Sequence, residues 1–151
     1  MKFTNSLIKG KLLKRYKRFF ADIKVNNKII TAHCPNTGSM QGLLDEGNEV
    51  LVTEHDDPKR KLKFTLEIIK AKKRYVGVNT HRANKIVNHG LENKLIPEFK
   101  AIKNIKPEFK FSDDTRFDFL GDSYLIEVKN VTLFRENDIA EFPDAVTSRG
   151  T

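Results

Sequence analysis

Between Arg116 and Lys129 the sequence alternates apolar and charged side chains about a single Gly-Asp pair: Arg116-Phe117-Asp118-Phe119-Leu120-Gly121-Asp122-Ser123-Tyr124-Leu125-Ile126-Glu127-Val128-Lys129. Alternation of period two is the pattern of a half-buried strand, and a glycine-led pair is the pattern of a tight hairpin loop. Gly121 accepts the positive φ that the first loop position of a type II′ turn demands, so the stretch is predicted to be a hairpin looped at Gly121-Asp122. That loop sets Leu120 opposite Ser123, Asp118 opposite Leu125 and Arg116 opposite Glu127. Paired residues project from the same side. Asp118, Glu127 and Lys129 therefore share one face, and Phe117, Phe119, Tyr124, Ile126 and Val128 line the other.

The apolar face has the composition of a face packed on a core. The other face has two readings. Two carboxylates on neighbouring strands, one diagonal step or about 7–8 Å apart at the backbone, can hold a hard divalent cation through oxygen, Mg2+ or Mn2+ before Zn2+. Lys129 would then orient a water or neutralise charge on a phosphate, the arrangement of phosphodiester hydrolysis. In the plainer reading the face is solvated and carries the charge pairs Arg116–Glu127 and Asp118–Lys129.

The chain has a formal charge of +8 and a pI near 9.6, and the excess is uneven. Residues 1–80 hold 17 Lys/Arg against 8 Asp/Glu, whereas residues 81–151 hold 11 against 12. A polyanion should prefer the first half, which makes nucleic acid, DNA or RNA, the expected partner. Nothing in the sequence fixes an oligomeric state. No apolar stretch of about 18 residues is present, the start from Met1 to Arg18 lacks an apolar leader, and there is no basic amphipathic helix to lie on a membrane. A cytoplasmic location is expected. Cys34 is the only cysteine, which excludes an internal disulfide and a multi-cysteine zinc cluster. The alternation sends Cys34 inward with Ile30 and Ala32 and turns His33 outward.

From Phe19 the sequence reads as a strand with Phe19, Ala21, Ile23 and Val25 inward, and Asn26-Asn27 turns it into a second strand over Lys28 to Cys34. Extending the first strand backwards places Tyr16, Arg18 and Phe20 on the outward face. Aromatic rings between cations are what single-stranded nucleic-acid platforms use. Phosphate contacts are expected from Arg15, Lys17 and Arg18, with Tyr16 as a stacking ring. Phe20 is expected rather to close one end of the barrel core. Further strands are expected at Glu49 to Thr53, Leu62 to Ile69 and Tyr75 to Asn79. Five short strands with charged turns suit an OB-like barrel over residues 1–79. The turn clusters Lys59-Arg60-Lys61 and Lys72-Lys73-Arg74 are expected to join Arg15 to Arg18 in one basic groove.

A second domain is expected over residues 80–151. Thr80 can cap a helix whose apolar stripe runs through Ala83, Ile86, Val87, Leu91, Leu95 and Phe99, broken by Gly90 and Pro97. A strand near Ile105 to Phe111 leads into the hairpin. Arg135 to Glu141 reads as polar loop, and Phe142-Pro143-Asp144-Ala145 opens another helix.

Four runs carry a resemblance that covers the whole chain: Arg15-Tyr16-Lys17-Arg18-Phe19, His33-Cys34-Pro35-Asn36-Thr37-Gly38-Ser39-Met40, Glu127-Val128-Lys129-Asn130-Val131-Thr132-Leu133, and Phe142-Pro143-Asp144-Ala145-Val146-Thr147-Ser148-Arg149-Gly150. In this order they resemble the sugar fermentation stimulation protein (SfsA) family. The resemblance implies an α+β protein, an N-terminal OB-like five-stranded barrel followed by a restriction-endonuclease-like (PD-(D/E)XK) domain. It places the metal-site Asp and Glu-x-Lys on Asp118, Glu127 and Lys129, with Glu98 on the helical acid that some such nucleases add. It also implies DNA binding. Family members continue past the helix at Phe142, so the second domain is expected to be partial, truncated at its C-terminus. The leading expectation is a sequence-nonspecific DNA-binding protein with a nuclease-like domain. The alternatives are a Mg2+- or Mn2+-dependent DNase or RNase using Asp118, Glu127 and Lys129, and a regulator that binds nucleic acid and a protein without chemistry.

Overall fold

A computed structural model describes residues 1–134 and 140–141. The chain divides into two compact units, Lys2–Thr80 with the segment from Asn130, and Met1 with His81–Lys129. The helix expected at Phe142 and most of the loop expected from Arg135 lie outside the described residues. The last described elements are two short antiparallel strands, Leu133–Phe134 and Ala140–Glu141.

The first unit is built from β1 (Leu7–Tyr16), β2 (Phe20–Val25), β3 (Lys28–His33), β4 (Glu49–Glu54), β5 (Phe64–Ala71) and β6 (Arg74–Gly77). β1, β2 and β3 form an antiparallel meander, β4 lies on the other side of β1, and β5 pairs β4. β5 then meets β3 in parallel at Ala32–Phe64 and His33–Thr65, which closes a five-stranded barrel of the OB kind. Closure leaves neither β3 nor β5 with an unpaired edge at that point. Leu12, Ala21, Ile23, Ala32, Cys34, Val50, Val52, Leu66 and Ile69 are fully buried inside it. Each large aliphatic chain among them contributes about 1.5–3 kcal/mol by leaving water.

The first expected strand is two strands. Lys17 and Arg18 have φ of 47° and 62°, the left-handed region, and with Phe19 they turn β1 into β2. Phe19 is consequently exposed in the turn instead of buried with Ala21. The strand expected near Tyr75 is β6, a hairpin addition to β5 outside the closed ring.

The second unit holds α1 (His81–Glu92), a 3-10 turn over Pro97–Phe99, and a sheet of β7 (Lys106–Lys110), β8 (Arg116–Gly121) and β9 (Tyr124–Ile126) in the order β7-β8-β9. The helix stops because Lys94 takes a φ of 56°, with its N–H donated to Leu91 and that of Leu95 donated to Gly90. These paired bonds satisfy the last carbonyls of a helix. The stripe read through Leu95 and Phe99 therefore breaks. Leu95 is exposed, and Phe99 packs from the 3-10 turn beside Val87, Ile96, Ile126 and Val128 around buried Leu91, Ile102 and Phe119.

The hairpin is present with a shifted loop. Gly121 pairs with Tyr124, Leu120 with Leu125 and Phe119 with Ile126, so the loop is Asp122-Ser123. Asp122, not Gly121, carries the positive φ, 47°. Its carboxylate accepts the Lys103 N–H at 2.8 Å and the Asn104 amide at 3.1 Å, which holds the turn. Gly121 serves close approach. A Cβ there would lie 2.4 Å from Ile102 Cδ1. Because the shift moves each partner by two, the side allotted to every residue is unchanged.

Candidate nucleic-acid interface

Tyr16 pairs with Phe20 across β1 and β2, and Phe20 pairs with His33 across β2 and β3. The three rings form a row on the outward side, opposite the inward-facing Ala21 and Ala32. Tyr16 and Phe20 are stacked, centroids 5.5 Å apart at 16°, and Lys14 Nζ lies 5.3 Å from the Tyr16 ring. Asp22 follows Phe20 on this side and is occupied, accepting bonds from Thr31 at 2.8 Å and Tyr16 at 3.3 Å with Lys14 Nζ at 3.6 Å. Phe20 thus belongs to the outer face, not the barrel core.

The loop between β4 and β5 arrives at the end of this row. His55 N–H bonds to Lys63 O at 2.8 Å, and Asp57 accepts the Lys59 N–H at 2.9 Å, so the loop is closed on itself. Arg60 donates to Leu62 O at 3.3 Å and to Thr65 Oγ1 at 2.8 Å, which fixes its guanidinium. Phe20, His33, Arg60, Lys61 and Leu62 together line a largely apolar recess of about 270 Å3.

Of the expected phosphate contacts, Lys17 and Arg18 are exposed in the β1–β2 turn, and Lys59 and Lys61 are exposed in the β4–β5 loop. Arg15 has a different occupation. Its guanidinium donates twice to Arg18 O, at 3.2 and 3.0 Å, and once to Asn36 O at 2.8 Å. Lys72-Lys73-Arg74 sits at the opposite end of β5 from the Lys59–Lys61 loop, a strand of eight residues or about 26 Å away. Two basic clusters meet at the aromatic row; the third does not.

In the second unit, Asp118 is half-buried and both its oxygens are engaged. Oδ1 accepts Asn84 Nδ2 of α1 and Oδ2 accepts the Val128 N–H, each at 2.6 Å. It lines a cavity of about 270 Å3 with Asn84, Lys85, Asn88, His89, Glu92, Pro107 and Glu108. Glu127 and Lys129 lie outside that cavity and bond to each other at 2.5 Å, both about half exposed. Arg116 reaches Glu108 at 3.7 Å. Glu98 is exposed in the 3-10 turn. Two carboxylates suit a hard cation chemically; both oxygens of Asp118 and one of Glu127 take part in these bonds, and among the described residues no group of three or more His, Cys, Asp or Glu stands close enough to ligate a metal.

Asn84 is the contact that the sequence concealed. Asn84, Asn88 and Glu92 are spaced i, i+4, i+8 and make a polar stripe on α1, with Asn88 donating to Glu92 at 2.8 Å. That stripe was visible, but nothing local ties it to an aspartate 34 residues on.

A closed OB-like barrel followed by a helix and an antiparallel sheet defines a two-domain α+β protein of the barrel-plus-small-domain class. Two family descriptions match it in sequence: the SfsA N-terminal OB domain over residues 13–78 and the sugar fermentation stimulation protein RE domain over residues 81–151. Proteins called sugar fermentation stimulation protein homolog are similar along essentially its whole length, at 65% identity in Pelagibacter ubique and 46% in Alteromonas mediterranea. The chain belongs to the sugar fermentation stimulation protein family. It spans 67% and 68% of the length of those two relatives. A solved structure described as Pyrococcus furiosus SfsA in complex with Ca2+ shares the fold, with a TM-score of 0.77, at 23% identity, over 99% of this chain and 64% of its own. Among the described residues no helix is long and apolar enough to cross a membrane.

Proposed function

We propose that the chain binds nucleic acid, DNA foremost and without sequence specificity, along the outer face of the barrel. The observation that carries this is the meeting of the Lys17-Arg18 turn and the Lys59–Lys61 loop at the Tyr16–Phe20–His33 row. Cations at the rim neutralise phosphates and release their counterions, so affinity must fall as salt rises. About four phosphate contacts give a slope of log K on log salt near −3 to −4. The test is fluorescence anisotropy of a labelled DNA duplex across a salt series, with Arg18→Glu and Lys61→Glu together. The double variant should bind more weakly and with a shallower slope. Retention that is unchanged at high salt, or by the double variant, sinks the reading.

A metal-dependent phosphodiesterase is the second reading. What favours it is the Ca2+ with which the Pyrococcus furiosus relative is described. Against it stands the engagement of Asp118 by Asn84 and Val128, and of Glu127 by Lys129. Incubating supercoiled plasmid with the protein and Mg2+ or Mn2+, beside Asp118→Ala and Lys129→Ala, decides it: cleavage lost in both variants establishes the enzyme, and none from the wild type removes it.

A further inference from the structure

We propose that the recess at Phe20 and His33 receives one unstacked nucleobase, so that the barrel holds single-stranded nucleic acid in preference to duplex. This rests on the nucleic-acid reading above and narrows its substrate.

The recess joins two surfaces that seldom serve one ligand. Its lining is largely apolar and brings the side chains of Phe20, His33 and Leu62 together with those of the two cations Arg60 and Lys61. A ligand that suits both has a flat ring with a π-face and an anion tethered a few bonds away. A nucleotide is such a molecule. In a duplex the faces of the bases are covered by their neighbours, and exposing one costs a few kcal/mol in unstacking and unpairing. A single strand offers its bases without that cost, and any base has a face to stack.

The lining is ordered before a ligand arrives. Phe20 is held by Tyr16 at 5.5 Å, and Arg60 is tied to Leu62 O and Thr65 Oγ1. A rigid wall loses little side-chain entropy on binding, which favours affinity. The recess also adjoins the turn that exposes Lys17 and Arg18, so a strand seated there has cations on both sides of the inserted base.

The experiment compares three labelled probes at low salt: an oligothymidylate of about 15 nucleotides, an abasic strand of the same length and charge, and a duplex of that length. The oligothymidylate should bind about tenfold tighter than the abasic strand and tighter than the duplex. Phe20→Ala should lower oligothymidylate affinity to the abasic level while leaving the abasic strand unaffected; Phe20→Leu, which keeps bulk beside Tyr16, should do the same. The abasic affinity reports that each variant is folded and still basic. Equal binding of the thymidylate and abasic strands, duplex binding as tight as the single strand, or an equal loss on both strands in both Phe20 variants overturns the base recess. If the abasic strand and duplex still bind in a salt-dependent way, only the recess falls. If no probe binds, the nucleic-acid reading falls with it.

Discussion

The guanidinium of Arg15 donates two hydrogen bonds to the carbonyl oxygen of Arg18, at 3.2 and 3.0 Å, and a third to that of Asn36 at 2.8 Å. A cation that the sequence offers to phosphate also holds the turn that presents two other cations. Lys17 and Arg18 both adopt the left-handed conformation, which costs a non-glycine residue about 1–2 kcal/mol. The Arg15 bonds offset that strain.

Arg15 and Arg18 should therefore respond in opposite directions. Arg15→Ala should destabilise the barrel by about 1–2 kcal/mol, since it strips bonds from a charged donor and leaves the carbonyl of buried Asn36 without that partner. Arg18→Gly should stabilise it by up to about 1 kcal/mol, because glycine relieves the left-handed strain against a smaller entropy cost. It should also weaken DNA binding and reduce the salt slope by about 1. Urea unfolding and anisotropy on the same samples check both.

Asp118 accepts two donors within the second unit, Asn84 and the Val128 N–H. If it serves structure, as the bonds from Asn84 and Val128 indicate, Asp118→Ala strands two donors and should cost about 1–3 kcal/mol in the second unit. Glu127→Gln and Lys129→Met touch an exposed pair and should change stability by less than about 0.5 kcal/mol. Hydrogen exchange at the Val128 amide reads this directly: it should accelerate in Asp118→Ala and hold in the other two.

What the sequence disclosed follows one line. Period-two alternation placed Ala21, Ile23, Ala32 and Cys34 inside the barrel and His33 outside, because a one-residue slip would expose every one of them. The division of the hairpin faces survived even a shift of its loop. Turns were less legible. Lys17, Arg18 and Asp122 take left-handed backbones without being glycine, and their turns are held by partners that the sequence pattern did not announce: Arg15 for the first, Lys103 and Asn104 for Asp122. The candidate site shows the same limit: Asp118, Glu127 and Lys129 were apparent as residue types, but the donors to Asp118 come from a helix 34 residues earlier and from the Val128 backbone, which no local pattern announces.

Lys9 and Glu49 give the barrel a pH-dependent link between β1 and β4. Their ion pair is 2.8 Å long, and Tyr75 donates to the same carboxylate at 3.1 Å. The Lys9 hydrogen bond holds Glu49 below the ordinary carboxylate value, and the same bond raises Lys9 above the ordinary lysine value. A depressed carboxylate contributes stability that is full above its unfolded value and is lost as pH falls through the folded one. A raised lysine contributes until pH climbs through its folded value. The link is thus intact across neutral pH and fails at both extremes. In Lys9→Met, NMR titration should find the Glu49 carboxylate moved up toward the ordinary range; an unmoved value would leave the pair without influence.

Gly121 separates two explanations of the hairpin. Were it needed for a left-handed φ, Gly121→Ala would cost the same whatever lies nearby. The positive φ belongs to Asp122, however, and a Cβ at position 121 would come within 2.4 Å of Ile102 Cδ1 and 2.8 Å of Cγ1. Among the described residues Ile102 is one of the three buried members of its core cluster, so it cannot move aside without disturbing Leu91 and Phe119. Gly121→Ala should cost about 1–3 kcal/mol by overpacking. Ile102→Val removes the nearest atom and should cost about 0.5–1.5 kcal/mol alone. In the double variant the alanine penalty should shrink, giving a favourable coupling in a double-mutant cycle of urea midpoints. A penalty identical in the two backgrounds would return the glycine to backbone conformation, and with it the loop to Gly121-Asp122.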